Sequence, residues 1–405
     1  MEARLTTIRE TLKDFRSDFW VCGKCKLCQA SHVKKIDNAR FWRNCPSGTR
    51  FRYEAYYASG KMEIAKAMEL EEIEPNDAVA HVIYSCNLCG SCQEQCYPVK
   101  QIFPTRVIEL MREEAVKEGW GPLPEHKPII DNLEKHDNML GKPQKDRGKW
   151  AKNLELKDAS KEKADVLLFT GCQYSFKPEL SSAARGAVEA LKASGADIGI
   201  LGAEELCCGA PLLELGDRDF FEQFAAENIR RINATGASLV VTLCPHCSWV
   251  FAEEYAPHLE AEIKHASQVL AEALGEGKIK PSKKVSSTVA WHDPCRLGRR
   301  LGVYEPPREI LDAIPGLEWK ELERHHGNSL CCGAGGLAGY AFPDYGEWVA
   351  KERVFEAEVA EAERIVTSCP WCEELLARGA KGKGSKVQVD NIFSLLGESL
   401  GGDVR

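Results

Sequence analysis

The residues with the clearest chemical potential are cysteines, and their spacing says more than their number, eighteen in 405 residues. Two adjacent pairs, Cys207-Cys208 and Cys331-Cys332, are each followed by glycine. Neighbouring cysteines cannot easily bridge each other, because a disulfide wants separated Cα atoms and a near-perpendicular torsion. Thiolates are soft ligands that suit iron–sulfur clusters and zinc, and glycine lets backbone approach a bulky inorganic core. Each pair is therefore read as part of a metal-cluster site, with the glycine as clearance for it.

Two further groups lie near the N-terminus. Cys22, Cys25 and Cys28 are followed at a distance by Cys45-Pro46; Cys86, Cys89, Cys92 and Cys96 run to Pro98. The pattern C-x2-C-x2-C-x3-C is the bacterial ferredoxin run, in which three close thiolates hold one cubane and the fourth reaches to the other cluster of a pair. Cys22, Cys25, Cys28 and Cys96 are accordingly assigned to one 4Fe–4S cubane, and Cys86, Cys89, Cys92 and Cys45 to the other. The first run departs from the pattern, since the stretch from Gln29 to Asn44 intervenes before Cys45. Structural zinc would need only two C-x2-C pairs; three closely spaced cysteines in each run favour the cubane.

The elements that must position the later cysteines alternate in type. Strands are expected at Asp165–Thr170, Ile198–Leu201 and Leu239–Leu243, with helices at Ala183–Lys192 and Phe220–Ile232. Cys172, Cys207, Cys208, Cys244 and Cys247 fall between them, at the strand ends where parallel α/β folds place ligands. The unit then repeats: strand Ser287–Trp291, helix Arg308–Ala313, helix Glu347–Ala362 and strand Arg364–Thr367 carry Cys295, Cys331, Cys332, Cys369 and Cys372. Corresponding cysteines are offset by 123 to 125 residues, an internal duplication. His265 and Asp390 are matched on the same logic, each eighteen residues past the last cysteine of its copy.

The fold class expected is α+β: an α-helical ferredoxin-like domain (1–116), a Pro- and Gly-rich linker over the surface (117–163), and two pseudo-symmetric α/β half-domains (164–284 and 285–405). An N-terminal helix is expected from Leu5, Ile8, Leu12 and Phe15, and another over Lys61–Glu71. A net charge of −8 and a pI near 5.8 argue against a nucleic-acid binder. No apolar run is long enough to span a bilayer, and Met1–Trp20 lacks the apolar region of a secretory signal. The expected compartment is the cytoplasm, or the cytoplasmic membrane face through a partner. Eighteen cysteines there argue for metal rather than a disulfide scaffold.

Two copies of Cys…Cys-Cys-Gly…Cys-Pro-x-Cys behind two ferredoxin runs resemble the CCG-domain iron–sulfur family, and within it the D-type heterodisulfide reductase subunits. The resemblance covers nearly the whole chain, including Gly121-Pro-Leu-Pro124 and Arg147…Trp150. It implies that each five-cysteine set holds a non-cubane 4Fe–4S cluster, with the catalytic role vested in these clusters. Electrons would enter at the two cubanes and pass to the paired clusters, which would reduce a small-molecule disulfide of the CoM-S-S-CoB kind. It also implies partner subunits: a flavoprotein (heterodisulfide reductase A-like or an FAD dehydrogenase) or a cytochrome b membrane subunit. The alternative is an electron-transfer subunit of a flavoprotein dehydrogenase, an aromatic-ring (benzoyl-CoA type) reductase or a quinone-linked complex.

Other features have plainer readings. Gly333-Ala-Gly-Gly-Leu-Ala338 fits a dinucleotide pattern but lacks the preceding strand that such a motif needs, so its glycines are read as room for the cluster. His246 and His292 are neighbours of the cysteines that pack against them or donate to them. His325 and His326 form a solvated loop, Trp371 shields a cluster, Trp150 anchors the linker, and Lys381–Lys386 is a basic turn.

Overall fold

In the computed structural model, residues 9–31 and 35–402 are described; Leu5 and Ile8 of the expected N-terminal helix lie outside them. Its remaining part is a 3-10 turn, Leu12–Phe15, followed by α1 (Arg16–Val21). The ferredoxin-like part is helical: α2 (Pro46–Phe51), α3 (Ala58–Glu69), α4 (Asp77–Tyr84), α5 (Ser91–Lys100) and α6 (Pro104–Lys117). Asn76 caps α4 by accepting from Ala78 N and Val79 N, satisfying donors that a helix start leaves open. Of its buried apolar residues, Ala80 and Ile83 then pack in one core with Met62, Val107, Ile108 and Met111.

The stretch expected to be a surface linker is more ordered than its Pro and Gly content suggests. It contains α7 (Lys127–His136), which buries Ile129 and Leu133, and a short strand β1 (Lys157–Asp158). Trp150 is buried as an anchor, with its carbonyl accepting from Arg185.

The first repeat comprises β2 (Val166–Phe169), α8 (Cys172–Phe176), α9 (Ser181–Ala193), β3 (Ile198–Ile200), α10 (Ala210–Leu215), α11 (Arg218–Ala234), β4 (Leu239–Thr242), α12 (Pro245–Val250), β5 (Glu262–His265) and α13 (Ala266–Gly275). The second has β6 (Ser287–Trp291), α14 (Glu305–Ala313), β7 (Leu317–Glu321), α15 (Ala338–Ala341), α16 (Pro343–Val359), β8 (Arg364–Thr367), α17 (Pro370–Lys383), β9 (Gln388–Asn391) and α18 (Ile392–Ser399). Both sheets are parallel, in the orders β1-β3-β2-β4-β5 and β7-β6-β8-β9. Setting aside β1, the two orders superpose, which is the duplication seen in three dimensions. Strands such as Val-Leu-Leu-Phe are buried along their whole length, as parallel strands covered on both faces must be.

Register corrects one pairing. Thr242 lies opposite His265, and Thr367 lies opposite Asn391, so the counterpart of His265 is Asn391 and not Asp390. The reason is capping: His265 accepts from Ser267 N at the start of α13, and Asn391 accepts from Phe393 N at the start of α18. The basic segment at 381–386 is also not a simple turn. α17 continues through Lys383 and ends at Gly384 (φ 67°), with its lysines at the negative end of the helix dipole.

The repeats share a core in which α9 packs on α18, so closely that a Cβ on Gly186 would stand 2.2 Å from Phe393 O. Among the described residues no helix is long and apolar enough to cross a membrane.

Candidate metal centres

The eighteen cysteines, all described, make no disulfide and gather in four groups. In the first, Cys22, Cys25 and Cys28 lie on the loop after α1, which two left-handed residues, Lys24 (φ 49°) and Lys26 (φ 67°), curl into a tight coil. Cys96, on α5, joins them: burial pushes its pKa up to about 12, and Cys28, Cys22 and Cys25 add to the rise. Cys28 is hydrogen-bonded to Ser59, although burial still raises it.

The second group brings Cys45 across the long interval to Cys86, Cys89 and Cys92. All four line one cavity with Lys61, Asn87, Ser91 and Thr105. Cys45 is the N-cap of α2, and Pro46 at the first helical position fixes the turn. Burial drives Cys45 to about 12 despite the nearby Lys61 ammonium.

The third group, Cys295, Cys331, Cys332, Cys369 and Cys372, belongs to the second repeat. The fourth, Cys172, Cys207, Cys208, Cys244 and Cys247, belongs to the first and lines a cavity with Met139, Gln173, Pro211, Glu214, His246 and Trp371. In both repeats the Cys-Pro-x-Cys motif forms the cap and first turn of a helix, so that its two thiols point the same way. The second, third and fourth groups touch in succession. Cys89 lies beside Cys331, which also meets Cys295 and Cys332; Cys332 meets Cys372, and Cys372 meets Cys369. Cys369 meets Cys244 of the first repeat, from which Cys247, Cys208, Cys207 and Cys172 follow. The contact with Cys331, reinforced by Arg299, lowers Cys89 to about 6 although burial opposes it.

The glycines have roles different from those expected. At Gly209 (φ 80°) and Gly333 (φ 102°) the backbone is left-handed, and an added Cβ would strike Phe221 at 2.6 Å or Gly346 O at 2.5 Å, not a thiol. The glycine that clears space at a thiol group is Gly171 (φ 78°), where a Cβ would lie 3.1 Å from Cys247 Sγ. Gly335 and Gly336 do not make room for a cluster either. They admit the backbone of Cys86 and Asn87, at 2.4–2.6 Å from hypothetical Cβ atoms, and Asn87 Nδ2 donates to Gly333 O at 2.9 Å. This motif is thus a socket for the ferredoxin-like part.

Several charged residues around the sites carry no spacing signature. Arg112 on α6 is fully buried and donates to four carbonyls, Glu214 O, Gly336 O, Ile83 O and Cys86 O, tying the helical part to both repeats. Arg147, singled out only as part of the linker, donates to Cys172 Sγ (3.5 Å) and to Glu205 Oε1 (2.9 Å). Glu205 in turn accepts from Thr170 N and Gly171 N, which holds the turn that carries Cys172. Arg296 and Glu214 form a buried pair, and His246 Nε2 lies 3.4 Å from the same carboxylate oxygen. Burial alone would raise Glu214, but Arg296 and His246 hold it at about 2. Burial opposes a charge on His246, yet Glu214, Cys244 and Cys369 outweigh it and raise its pKa well above the ordinary value. His292 accepts from Arg353 Nε at 3.0 Å and lies against Cys332; burial lowers its pKa. His325 and His326 are not simply solvated: both are partly buried, and Arg308 reaches His326 Nδ1 at 3.1 Å.

The donor sets fit iron–sulfur clusters. Four thiols around one cavity match a cubane, and five per repeat exceed the four that a tetrahedral zinc would take. The amide of Gln173, 3% exposed, lines the fourth group with neither its nitrogen nor its oxygen partnered among the described residues. Its N–H would be free to donate to an inorganic sulfide held there, the kind of bond that tunes such clusters.

Comparison with known proteins agrees with this geometry. A family model described as a cysteine-rich domain matches residues 166–252 and again 289–377, and a 4Fe-4S dicluster domain matches 15–99. The chain is 30% identical to the D-type subunit of the dihydromethanophenazine:CoB--CoM heterodisulfide reductase of Methanosarcina mazei, over 94% of this chain and 93% of that one. It is 31% identical to a probable iron-sulfur-binding oxidoreductase, FadF, of Bacillus subtilis, over 86% of this chain and 51% of that protein. A third relative, 30% identical over 89% of this chain and 54% of its own length, is the EtfAB:quinone oxidoreductase of Syntrophomonas wolfei.

Proposed function

The chain belongs to the D-type heterodisulfide reductase family of iron–sulfur oxidoreductase subunits, and from that premise we propose that it carries two cubane and two non-cubane 4Fe–4S clusters and reduces a small-molecule disulfide. Cys22, Cys25, Cys28 and Cys96 would hold one cubane, and Cys45, Cys86, Cys89 and Cys92 the other. Cys172, Cys207, Cys208, Cys244 and Cys247 would hold one non-cubane cluster, and Cys295, Cys331, Cys332, Cys369 and Cys372 the second. When bound, these groups supply one-electron steps, and two adjacent ones match the two electrons that a disulfide needs.

The observation that carries the reading is the contact between Cys244 and Cys369, which sets two complete five-thiol groups side by side. The chain's own residues complete that junction. Glu214 and Arg296, one from each repeat, keep the two groups in register. His246 holds a proton beside both, where a thiolate product would need one. Trp371 lies against His246, with ring centroids 5.6 Å apart, and keeps water from the thiols.

The test is anaerobic. Purified protein should hold about sixteen irons, four per cluster, and should turn over thiol disulfides with a reductant while giving a thiol-dependent paramagnetic signal. About eight irons would sink the two-non-cubane assignment.

A second reading is favoured by the relative named as an EtfAB:quinone oxidoreductase. On that reading the same clusters pass electrons between a flavoprotein and a quinone-linked or cytochrome b subunit. Sixteen irons without disulfide turnover or a thiol-dependent signal would select it.

A further inference from the structure

We propose that the surface around Cys25 is the docking face for an acidic one-electron carrier protein, through which electrons enter the chain. This rests on the reading of Cys22, Cys25, Cys28 and Cys96 as a cluster site. Of the eighteen cysteines, Cys25 alone is exposed. Every other thiol is at least partly covered by protein, so a donor can approach a thiol most closely here.

The surroundings are built for contact rather than for solvent. The chain reaches Cys22 through Trp20 and Val21, 40% and 55% exposed. Packed on the loop, against Leu27–Gln29, is α5, whose last turn follows Cys96. That turn and its continuation expose Tyr97, Val99 and Phe103, with the Tyr97 and Phe103 rings 5.0 Å apart. A single exposed apolar residue needs no explanation, but several beside one exposed thiol form the kind of patch that marks an interaction site.

Charge identifies the occupant. The whole chain carries −8, yet Trp20 to Arg52 contains eight Lys and Arg against one Asp. Part of this charge is spent internally: Lys24 pairs with Glu63 at 2.9 Å, Lys35 with Asp37 at 2.9 Å and Arg40 with Glu352 at 2.8 Å. Lys26, next to Cys25, Lys66, 4.5 Å over the Trp20 ring, and Lys100, one turn past Cys96 on α5, make no ion pair among the described residues. A basic rim around an apolar centre on an acidic protein steers an oppositely charged partner and fixes its orientation. An anionic lipid surface would feel the same field, but it would cover Cys25 without supplying an electron. In the encounter one electron leaves the reduced carrier and one is gained at the Cys22 set; no bond forms or breaks.

The experiment uses the full chain with its clusters and a small acidic two-cluster ferredoxin as the probe. Stopped-flow reduction of the native protein should slow steeply between about 0.01 M and 0.5 M salt. The Lys66→Glu/Lys100→Glu variant should be reduced at least tenfold more slowly at low salt and like the native protein at high salt. Val99→Ser should weaken the encounter at every salt concentration. Reduction by photoreduced deazaflavin, a neutral donor, should be unchanged in both. Iron content and the paramagnetic signal separate the two proposals: a chain lacking iron at the Cys22 set overturns the cluster assignment. Full iron with salt-independent reduction, or with native rates in the double variant, overturns the docking face. Loss of binding to phosphatidylglycerol vesicles in the double variant, with native reduction by the ferredoxin, would overturn it too and assign the surface to a membrane.

Discussion

Glu214 of the first repeat and Arg296 of the second meet in a fully enclosed ion pair, Oε1 to Nη2 at 2.5 Å, with each side chain 3% exposed. Arg296 follows Cys295 directly, and Glu214 lines the cavity of the other thiol group. One interaction thereby fixes the relative placement of two sites that lie in separate sheets.

Breaking that pair should be costly. Arg296→Met leaves the buried Glu214 carboxylate with His246 in place of two cationic neighbours and should cost about 3 kcal/mol. Adding Glu214→Gln should recover part of the loss, since a neutral pair leaves no stranded charge. Anaerobic denaturation of the single and double variants measures this; equal or additive losses would contradict it.

Arg147 should act on the group that contains Cys172. Arg147→Met removes a cation 3.5 Å from the Cys172 sulfur, so a cluster there should have a more negative reduction potential. Arg147→Lys keeps the charge but loses the fork that grips Glu205, and should shift the potential less while lowering stability. Redox titration followed by paramagnetic resonance distinguishes the two effects.

His126 should make the junction acid-sensitive. It is fully buried, with Nε2 3.2 Å from Leu337 O beside the glycine socket. Burial, aided by Arg112, lowers its pKa from 6.5 to about 4. The unfolded chain therefore binds this proton more readily, and stability falls as pH drops from about 6.5 to about 4, by about 3 kcal/mol in all. His126→Gln should remove that component of the pH profile, seen as a smaller fall in Tm over the same window.

Gly333→Ala tests whether the glycine after the cysteine pair is needed for backbone conformation and packing. The left-handed backbone costs about 1–2 kcal/mol for a residue with a Cβ, and the collision with Gly346 O adds to this. Gly277→Ala, also left-handed (φ 70°) but with open space around it, should show the conformational cost alone. Equal losses for the two would remove the packing argument.

Features that depend on short covalent spacing were legible in the chain before any fold was known. Cys86-x2-Cys89-x2-Cys92 places three thiols within one loop and a helical turn whatever surrounds them, and Cys-Pro-x-Cys caps a helix in both repeats. Buried parallel strands such as Val166–Phe169 announce themselves as unbroken apolar runs, and the cysteine offsets reveal the duplication. Tertiary structure decided whatever depends on packing between distant segments. It brought Cys45 to Cys86 across the long interval, set Cys89 against Cys331 and Cys369 against Cys244, and matched His265 with Asn391 through helix capping. It also turned Gly335 and Gly336 into a socket for Asn87, and buried Arg112 and Arg147 where carbonyls and a thiol await them. A cysteine motif is local, because a few rotatable bonds hold its sulfurs together; the partner of a buried arginine is chosen by the fold, and nothing in the residues beside it in the chain names that partner.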